Sequence, residues 1–383
     1  MAKTVLILGG GIGGLVTANE LRAKLAKEHR VVLADRESTF VFSPSLLWLM
    51  TGARAAPKIS RPLARLERRG IELIQGQIES IDPEKRQATV QGHSLSADYI
   101  VIALGADLAP DSVPGLSEAG HNFYSLSGAE SFRDAFDRFE GGNLVVLTAA
   151  PAYKCPAAPY EAAMLLEAAC RKRGIRNGTE IHLYAAEPGP MGVAGPEVSK
   201  AVRQMVESKG IAYRPEHQIS HAQAGARRLI FANGVEGEYD LLAYVPPHRA
   251  PRVVQTAGLL SESGWISVDR NSLETAFPGV YALGDVVSIP LKMGKPLPKA
   301  GVFAHAEAFV IARNIAREIT GKGKPAQFDG EGECFIEAGD GKAGFGKGNF
   351  YAEPLPQVKM HPPARRWHAA KVLFEKDWLR RWF

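Results

Sequence analysis

TVLILGGGIGGLVTANELR, from Thr4 to Arg22, decides the fold. Its VLIL run reads as a short buried strand, three glycines break any regular element, and the apolar spacing after Gly14 has the period of an amphipathic helix. RVVLAD, from Arg30 to Asp35, is a second apolar strand ending in an acid. In such a unit Gly9 permits the tight turn, Gly11 lets a pyrophosphate approach the backbone, and Gly14 lets helix and strand pack closely. The phosphates then lie on the helix N-terminus, and Asp35, 21 residues beyond Gly14, can accept the ribose hydroxyls. The glycine spacing alone is a weak signal. With both strands and the acid in place it specifies a dinucleotide-binding unit.

Two later segments name the dinucleotide. DYIVIALGA, Asp98 to Ala106, is a buried strand ending at Gly105, and TAFPGVYALGD, Thr275 to Asp285, is another ending at Gly284 and Asp285. The second resembles the FAD-contacting motif of two-dinucleotide-domain flavoproteins, in which the acid matching Asp285 binds the ribityl chain. The same resemblance puts Arg36, Ser43 and Ile78 at cofactor contacts, and FAD is the cofactor it implies. A helix is expected from Gly301, and by resemblance its N-terminus faces the flavin pyrimidine. There its dipole and Lys299 would stabilise the anionic reduced form. Lys299 as a plain surface charge before a helix is the alternative.

The chain has 383 residues, 45% hydrophobic and 23% charged, which suits a soluble-type protein with two core-bearing domains. A net charge of +5, from 46 basic and 41 acidic residues, is too mild to imply nucleic acid as a partner. VLIL at the start is better read as a strand than as a leader, so no signal peptide is expected, and no stretch is long and apolar enough for a transmembrane helix. Three cysteines, Cys155, Cys170 and Cys334, are too scattered for a disulfide scaffold or a metal site, and no metal is expected.

The most informative of them lies in TAAPAYKCPAAPYE, Thr148 to Glu161, between a strand-like run (NLVVL) and a helix-like run (AAMLLEAACR). Flavin-dependent NADH oxidoreductases of this fold carry a second glycine fingerprint at that place. Here Cys155 stands where the backbone must approach pyrophosphate, and Pro156 and Pro159 remove two amide donors that a phosphate needs. NADH is therefore an unexpected donor, and the thiol becomes the candidate for electron entry.

CPAAPYE (Cys155–Glu161) together with GECFIE (Gly332–Glu337) resembles the sulfide:quinone oxidoreductases and the similar flavoprotein subunit of flavocytochrome c sulfide dehydrogenase. FVFSPS (Phe40–Ser45) and PKAG (Pro298–Gly301) extend the resemblance over essentially the whole chain. It implies that Cys155 and Cys334 are the redox pair beside the flavin, that Glu161 is an acid/base group, and that Phe335 lies on the quinone side. Hydrosulfide would attack the bridged pair, giving a persulfide on one cysteine and a thiolate on the other, and two electrons would pass to FAD. Cys155 beside Lys154 at a helix start is expected to have a lowered pKa. Glu161 as a solvated residue on that helix is the plain alternative, and Cys170 reads as core. Two features depart from the family: there is no third cysteine upstream of Cys155, and none in the N-terminal region to bond FAD, so noncovalent FAD is expected.

HPPARRWHAAKVLFEKDWLRRWF, His361 to Phe383, is aromatic and basic. A helix from about Ala364 would align Trp367, Phe374, Trp378 and Trp382 along one stripe, with Lys371 and Arg381 snorkelling, as in an interfacial helix. The alternative is packing on its own domain or on a partner chain. The expected architecture is α/β: residues 1–110 and 240–320 as a discontinuous FAD domain, 111–239 as an inserted degenerate dinucleotide-binding domain, and 321–383 as a C-terminal redox and membrane-associating segment. Expected partners are sulfide, a membrane quinone and the bilayer surface, with a peripheral membrane location on an undetermined face and a homo-oligomer left open. A cytochrome-coupled sulfide dehydrogenase subunit, a type II NADH:quinone oxidoreductase and a non-catalytic flavoprotein are the competing functions.

Overall fold

In a computed structural model of the chain, which describes residues 1–383, five strands form the first sheet in the order Val280–Ala282, Tyr99–Ile102, Thr4–Leu8, Arg30–Asp35, Glu72–Gln75. Every pair is parallel. A parallel sheet is covered on both faces, which is why its strands read as unbroken apolar runs. Val5, Ile7 and Leu8 have 0% exposure. The helix Ile12–Lys24 that follows the first strand packs along the helix Gly301–Thr320. Early and late segments thus build one domain, as the two apolar strands ending at Gly105 and Gly284 require.

The second sheet runs His121–Asn122, Leu241–Val245, Gly142–Thr148, Thr179–Ala185, Ala212–Arg214, again all parallel. This corrects the boundary read at residue 240. Leu241–Val245 is fully buried between two strands of the inserted domain, so the return to the first domain falls after Val245. An apolar run of five residues suits either sheet, and only pairing decides. The connections between domains touch in a two-residue antiparallel ladder, Asp107–Leu108 with His248–Arg249.

The C-terminal segment begins with a three-stranded antiparallel sheet, Glu331–Gly339, Lys342–Asn349 and Gln357–Ala364. The glycine-rich run after Gly339 is the turn and second strand of a hairpin within it. The last helix spans Arg365–Arg381. Its position corrects the reading of the whole stripe as an interfacial face. Trp378 and Trp382 are 4% and 3% exposed; Trp378 stacks on Phe40 with ring centroids 5.0 Å apart, and Trp382 meets His305 at 5.6 Å. Glu375 of the same helix is bound by Arg54 at 2.9 Å and by the Ser45 hydroxyl at 2.9 Å. The helix therefore packs on the first domain, and only Leu373 and Phe374, 66% and 49% exposed, project from it as large apolar groups. Leu46–Met50 is a buried helix, and no helix is long and apolar enough to cross a membrane.

Candidate active site

The dinucleotide cradle comes first, because it tests whether the chain fits FAD. Gly9 has φ +105°, and a Cβ there would lie 2.4 Å from the Ala103 carbonyl oxygen; one at Gly14 would lie 1.8 Å from the Gly9 oxygen. Both positions require glycine. At Gly11 a Cβ would meet nothing within 4 Å, so open space lies where a pyrophosphate would approach the backbone. Asp35 ends the second strand, accepting from the Gly10 amide and, at 2.7 Å, from the Glu37 amide. Burial raises its pKa despite those bonds. Arg36 is exposed, paired with Glu37 at 3.3 Å, and Ser43 is exposed as well. Ile78 is 5% exposed and packs in the core of the first domain. Gly105 and Gly284 have φ of +66° and +74°.

Around Gly284 the charges are buried. Its amide donates to Glu307 Oε2 at 2.7 Å, and burial pushes the Glu307 carboxyl up to about 7. Asp285 is half-buried and also raised by burial. Lys299 is not a surface charge: Nζ donates to the carbonyls of Asp285 (2.7 Å) and Val287 (2.9 Å) and lies 3.5 Å over the Trp265 ring. Burial lowers it to about 8. Its ammonium fixes the Gly284–Asp285 turn. Gly301 opens the Gly301–Thr320 helix against Ile12, so two helix N-termini converge beside this turn. The cradle, the acid at the strand end and the paired N-termini fit FAD.

The sulfur side is attached to the same turn. Cys155 has φ +51°, in the left-handed region, and Ala152 has φ +64°. The Cys155 amide donates to the Lys299 carbonyl at 2.7 Å; its own carbonyl accepts from the Ala158 amide (2.9 Å) and the Tyr124 hydroxyl (3.1 Å). The helix begins only at Ala158, three residues beyond the thiol. The expected lowering of the Cys155 pKa is accordingly overturned: burial raises it, and the charges of Glu161 and Cys334 raise it further. Cys334, on the strand Glu331–Gly339, is pushed up to about 12 by burial and then by Glu161. The cation that opposes both shifts is Lys371, not Lys154. Both cysteines are free thiols, each within the field of Glu161, and Cys170 is fully buried in the inserted domain's core.

Glu161 is not solvated. It is 2% exposed and accepts from the Glu337 amide at 2.8 Å and Lys371 Nζ at 2.7 Å. Phe335, next to Cys334, meets Phe345 at 5.1 Å and Phe374 at 6.4 Å. The structure thus brings Cys155, Cys334, Glu161 and Lys299 to one junction of both domains and the C-terminal segment, while Arg36 and Ser43 stay on the outside. Lys371, Glu337 and Tyr124 were missed. A lysine interrupting an apolar stripe was the available signal for Lys371; Glu337 stood inside the GECFIE motif, and nothing local marks Tyr124.

Comparison with known proteins bears on the family and the fold. The pyridine nucleotide-disulphide oxidoreductase family matches residues 3–308. The sulfide-quinone reductase of Aquifex aeolicus is 29% identical over 402 residues, covering 99% of this chain and 91% of its own. The mitochondrial sulfide:quinone oxidoreductase of Mus musculus is 25% identical, covering 92% and 79%. The X-ray structure of the sulfide:quinone oxidoreductase from Aquifex aeolicus superposes with a TM-score of 0.89 at 26% identity, over 100% of this chain and 91% of that one. The chain belongs to the pyridine nucleotide-disulphide oxidoreductase family, and its likeness to the sulfide:quinone oxidoreductases extends along its whole length.

Proposed function

We propose that this protein is a flavin-binding oxidoreductase that oxidises sulfide at a Cys155–Cys334 pair and delivers the electrons to a quinone. The observation that carries the reading is the pair itself: a thiol on the turn where a nucleotide-binding loop would lie, another on a C-terminal strand, and Glu161 acting on both. Gly9, Gly11, Gly14, Asp35, Gly105, Gly284, Asp285 and Gly301 would hold FAD, noncovalently, since the sequence has no cysteine before Cys155. Bound FAD supplies a two-electron acceptor.

The raised thiol pKa values suit this chemistry. In the oxidised pair the attacking nucleophile is external hydrosulfide, so neither cysteine need be a thiolate at the outset. As the new S–S bond forms, the old one breaks and its electron pair stays on the departing sulfur. Lys371 stabilises that developing thiolate, and Glu161 takes the proton of the persulfide. Quinone would approach from the side of Phe335, and the exposed Leu373 and Phe374 would meet the lipid surface.

The competing NADH reading is opposed by the inserted domain, where the Tyr153 and Tyr160 hydroxyls both donate to Glu187 at the end of a parallel strand. Anaerobic stopped-flow with the two donors side by side decides. Sulfide should bleach the flavin and NADH should not; bleaching by NADH alone would replace this reading with a type II dehydrogenase.

A further inference from the structure

Lysine is seldom buried unless paired. Lys371 is buried between two carboxylates. Its Nζ lies 2.7 Å from Glu161 Oε1 and 4.0 Å from Glu337 Oε1, and the amide of Glu337 donates to the same Glu161 oxygen at 2.8 Å. The Glu337 carboxylate is in turn met by His368 Nδ1, at 3.1 Å from Oε1 and 3.0 Å from Oε2. Side-chain exposure is 3% at Glu161, 9% at Lys371 and 1% at Glu337, against 32% at His368. Three members are sealed, and one ring reaches water.

The charges explain why a fourth member is needed. One ammonium cannot balance two buried carboxylates, and an unpaired buried charge is costly. A proton shared between Glu337 and His368 removes the imbalance. Burial itself raises the Glu337 carboxyl, against the opposing fields of Lys371 and His368. Burial lowers Lys371, but the charges of Glu161, Glu337 and Cys334 outweigh it and together hold it above its usual value. The groups that face this line are therefore Glu161 from the cysteine helix, Cys334 and Glu337 from the strand, His368 from the last helix, and Cys155 from the turn. The Trp48 ring covers Lys371 at 5.1 Å and His368 at 5.9 Å. Lys371 is within hydrogen-bond distance of Glu161, and Glu337 of His368; 4.0 Å separates Lys371 from Glu337.

We propose that Glu337 and His368, with Lys371 between them and Glu161, form the proton path from the sulfur pair to solvent, an inference that rests on the sulfide reading above. Hydrosulfide adds to one sulfur, the S–S bond breaks, and the persulfide proton goes to Glu161. Lys371 gives a proton to Glu337 as it takes one from Glu161, so the ammonium is conserved. Glu337 passes its proton to His368 Nδ1, and the imidazole releases one to water. One proton leaves per hydrosulfide, the two carboxyls and the ammonium return to their starting states, His368 regains its original tautomer by proton exchange with water, and two electrons remain on the cysteine pair for the bound flavin. Glu337 and His368 touch no reacting atom; they act through Glu161.

The test is anaerobic flavin reduction by sulfide in the flavin-loaded protein, followed against pH for wild type, Glu337→Gln, His368→Ala and His368→Gln. His93→Ala, which removes an exposed imidazole elsewhere, serves as control. Both His368 variants should be reduced about ten-fold more slowly or worse, with an altered pH profile and an unchanged flavin content. Added imidazole should restore His368→Ala and leave His368→Gln slow, because only the alanine variant leaves space for it. Glu337→Gln should be slow and not rescued. Wild-type rates in both His368 variants would overturn the path, and so would a slowed His368→Ala that keeps the wild-type pH profile and ignores imidazole. A wild type that sulfide never reduces would instead remove the sulfide reading, and the path with it.

Discussion

A non-glycine residue at φ +51° carries backbone strain of order 1–3 kcal/mol. At Cys155 three hydrogen bonds to its backbone groups hold that conformation, one of them to the Lys299 carbonyl of the neighbouring domain, and Ala152, at φ +64°, shares the strain of the turn. Cys155→Ser and Cys334→Ser should each abolish sulfide-dependent flavin reduction, since a hydroxyl cannot form the sulfur bridge or leave as a thiolate. The double variant should be little worse than either, because residues acting as a unit are not additive. Cys170→Ser is the control and should cost stability at most. Near-normal reduction in Cys155→Ser would contradict the pair. A second residue prediction concerns pH. Burial raises Glu307 from 4.5 to about 7, so the folded state holds a proton that the unfolded chain has released. Stability from this group is complete below about pH 4.5 and lost as pH rises towards 7. The shift corresponds to roughly 3 kcal/mol at most. Unfolding curves across that window should show the decline in wild type and a flatter profile in Glu307→Gln; identical slopes would refute it.

At the scale of elements, the last helix changes meaning most. Its aromatic stripe is real, but Trp378 and Trp382 are core residues of the first domain and Lys371 is a buried ion-pair partner of Glu161. Deleting residues 364–383 would therefore remove part of the sulfur site along with any lipid contact. Point changes separate the two. Leu373→Glu should weaken binding to anionic vesicles with flavin reduction by sulfide intact, while Trp378→Ala should destabilise the fold by about 3–5 kcal/mol, as large core truncations do. Vesicle sedimentation unaltered by Leu373→Glu would place any lipid contact elsewhere. The contrast shows what periodicity can carry. Strands such as Thr4–Leu8 are legible because parallel sheets bury both faces, and the glycine spacing encodes its own geometry. An amphipathic stripe says only that one face avoids water, not whether lipid or protein covers it. Lys371 stood out as a lysine on that stripe, but its role was hidden for the same reason: such a lysine reads as snorkelling until the carboxylate opposite is known. His121–Asn122, a two-residue strand, leaves no pattern at all.

Across the whole molecule, two parallel-sheet domains meet so that, on the reading proposed above, one would hold the cofactor and the other would present sulfur to it. Cys155 reaches the first domain through the Lys299 carbonyl, and Lys299 reaches the Gly284–Asp285 turn through its ammonium; one residue thus ties the sulfur turn to the cofactor cradle. The inserted domain keeps the sheet of a nucleotide-binding fold, yet its crevice is occupied by the chain itself. Glu187 follows the strand Thr179–Ala185, where an acid could accept ribose hydroxyls. Instead it accepts from Thr148 Oγ1 at 2.8 Å, from the Tyr160 hydroxyl at 2.7 Å and from the Tyr153 hydroxyl. A ribose would have to displace two tyrosines and leave their hydroxyls unpaired, at about 1–3 kcal/mol each. NADH should therefore neither bind measurably to the flavin-loaded protein nor protect it against thermal unfolding at millimolar concentration. Glu187→Gln should lower the unfolding midpoint without creating NADH binding, because the rings of Tyr153 and Tyr160 remain in place and Pro156 still lacks an amide donor. Calorimetric titration with NADH checks both statements. Saturable binding to the wild type would mean that the crevice opens, and that sulfur chemistry and nucleotide chemistry share the second domain.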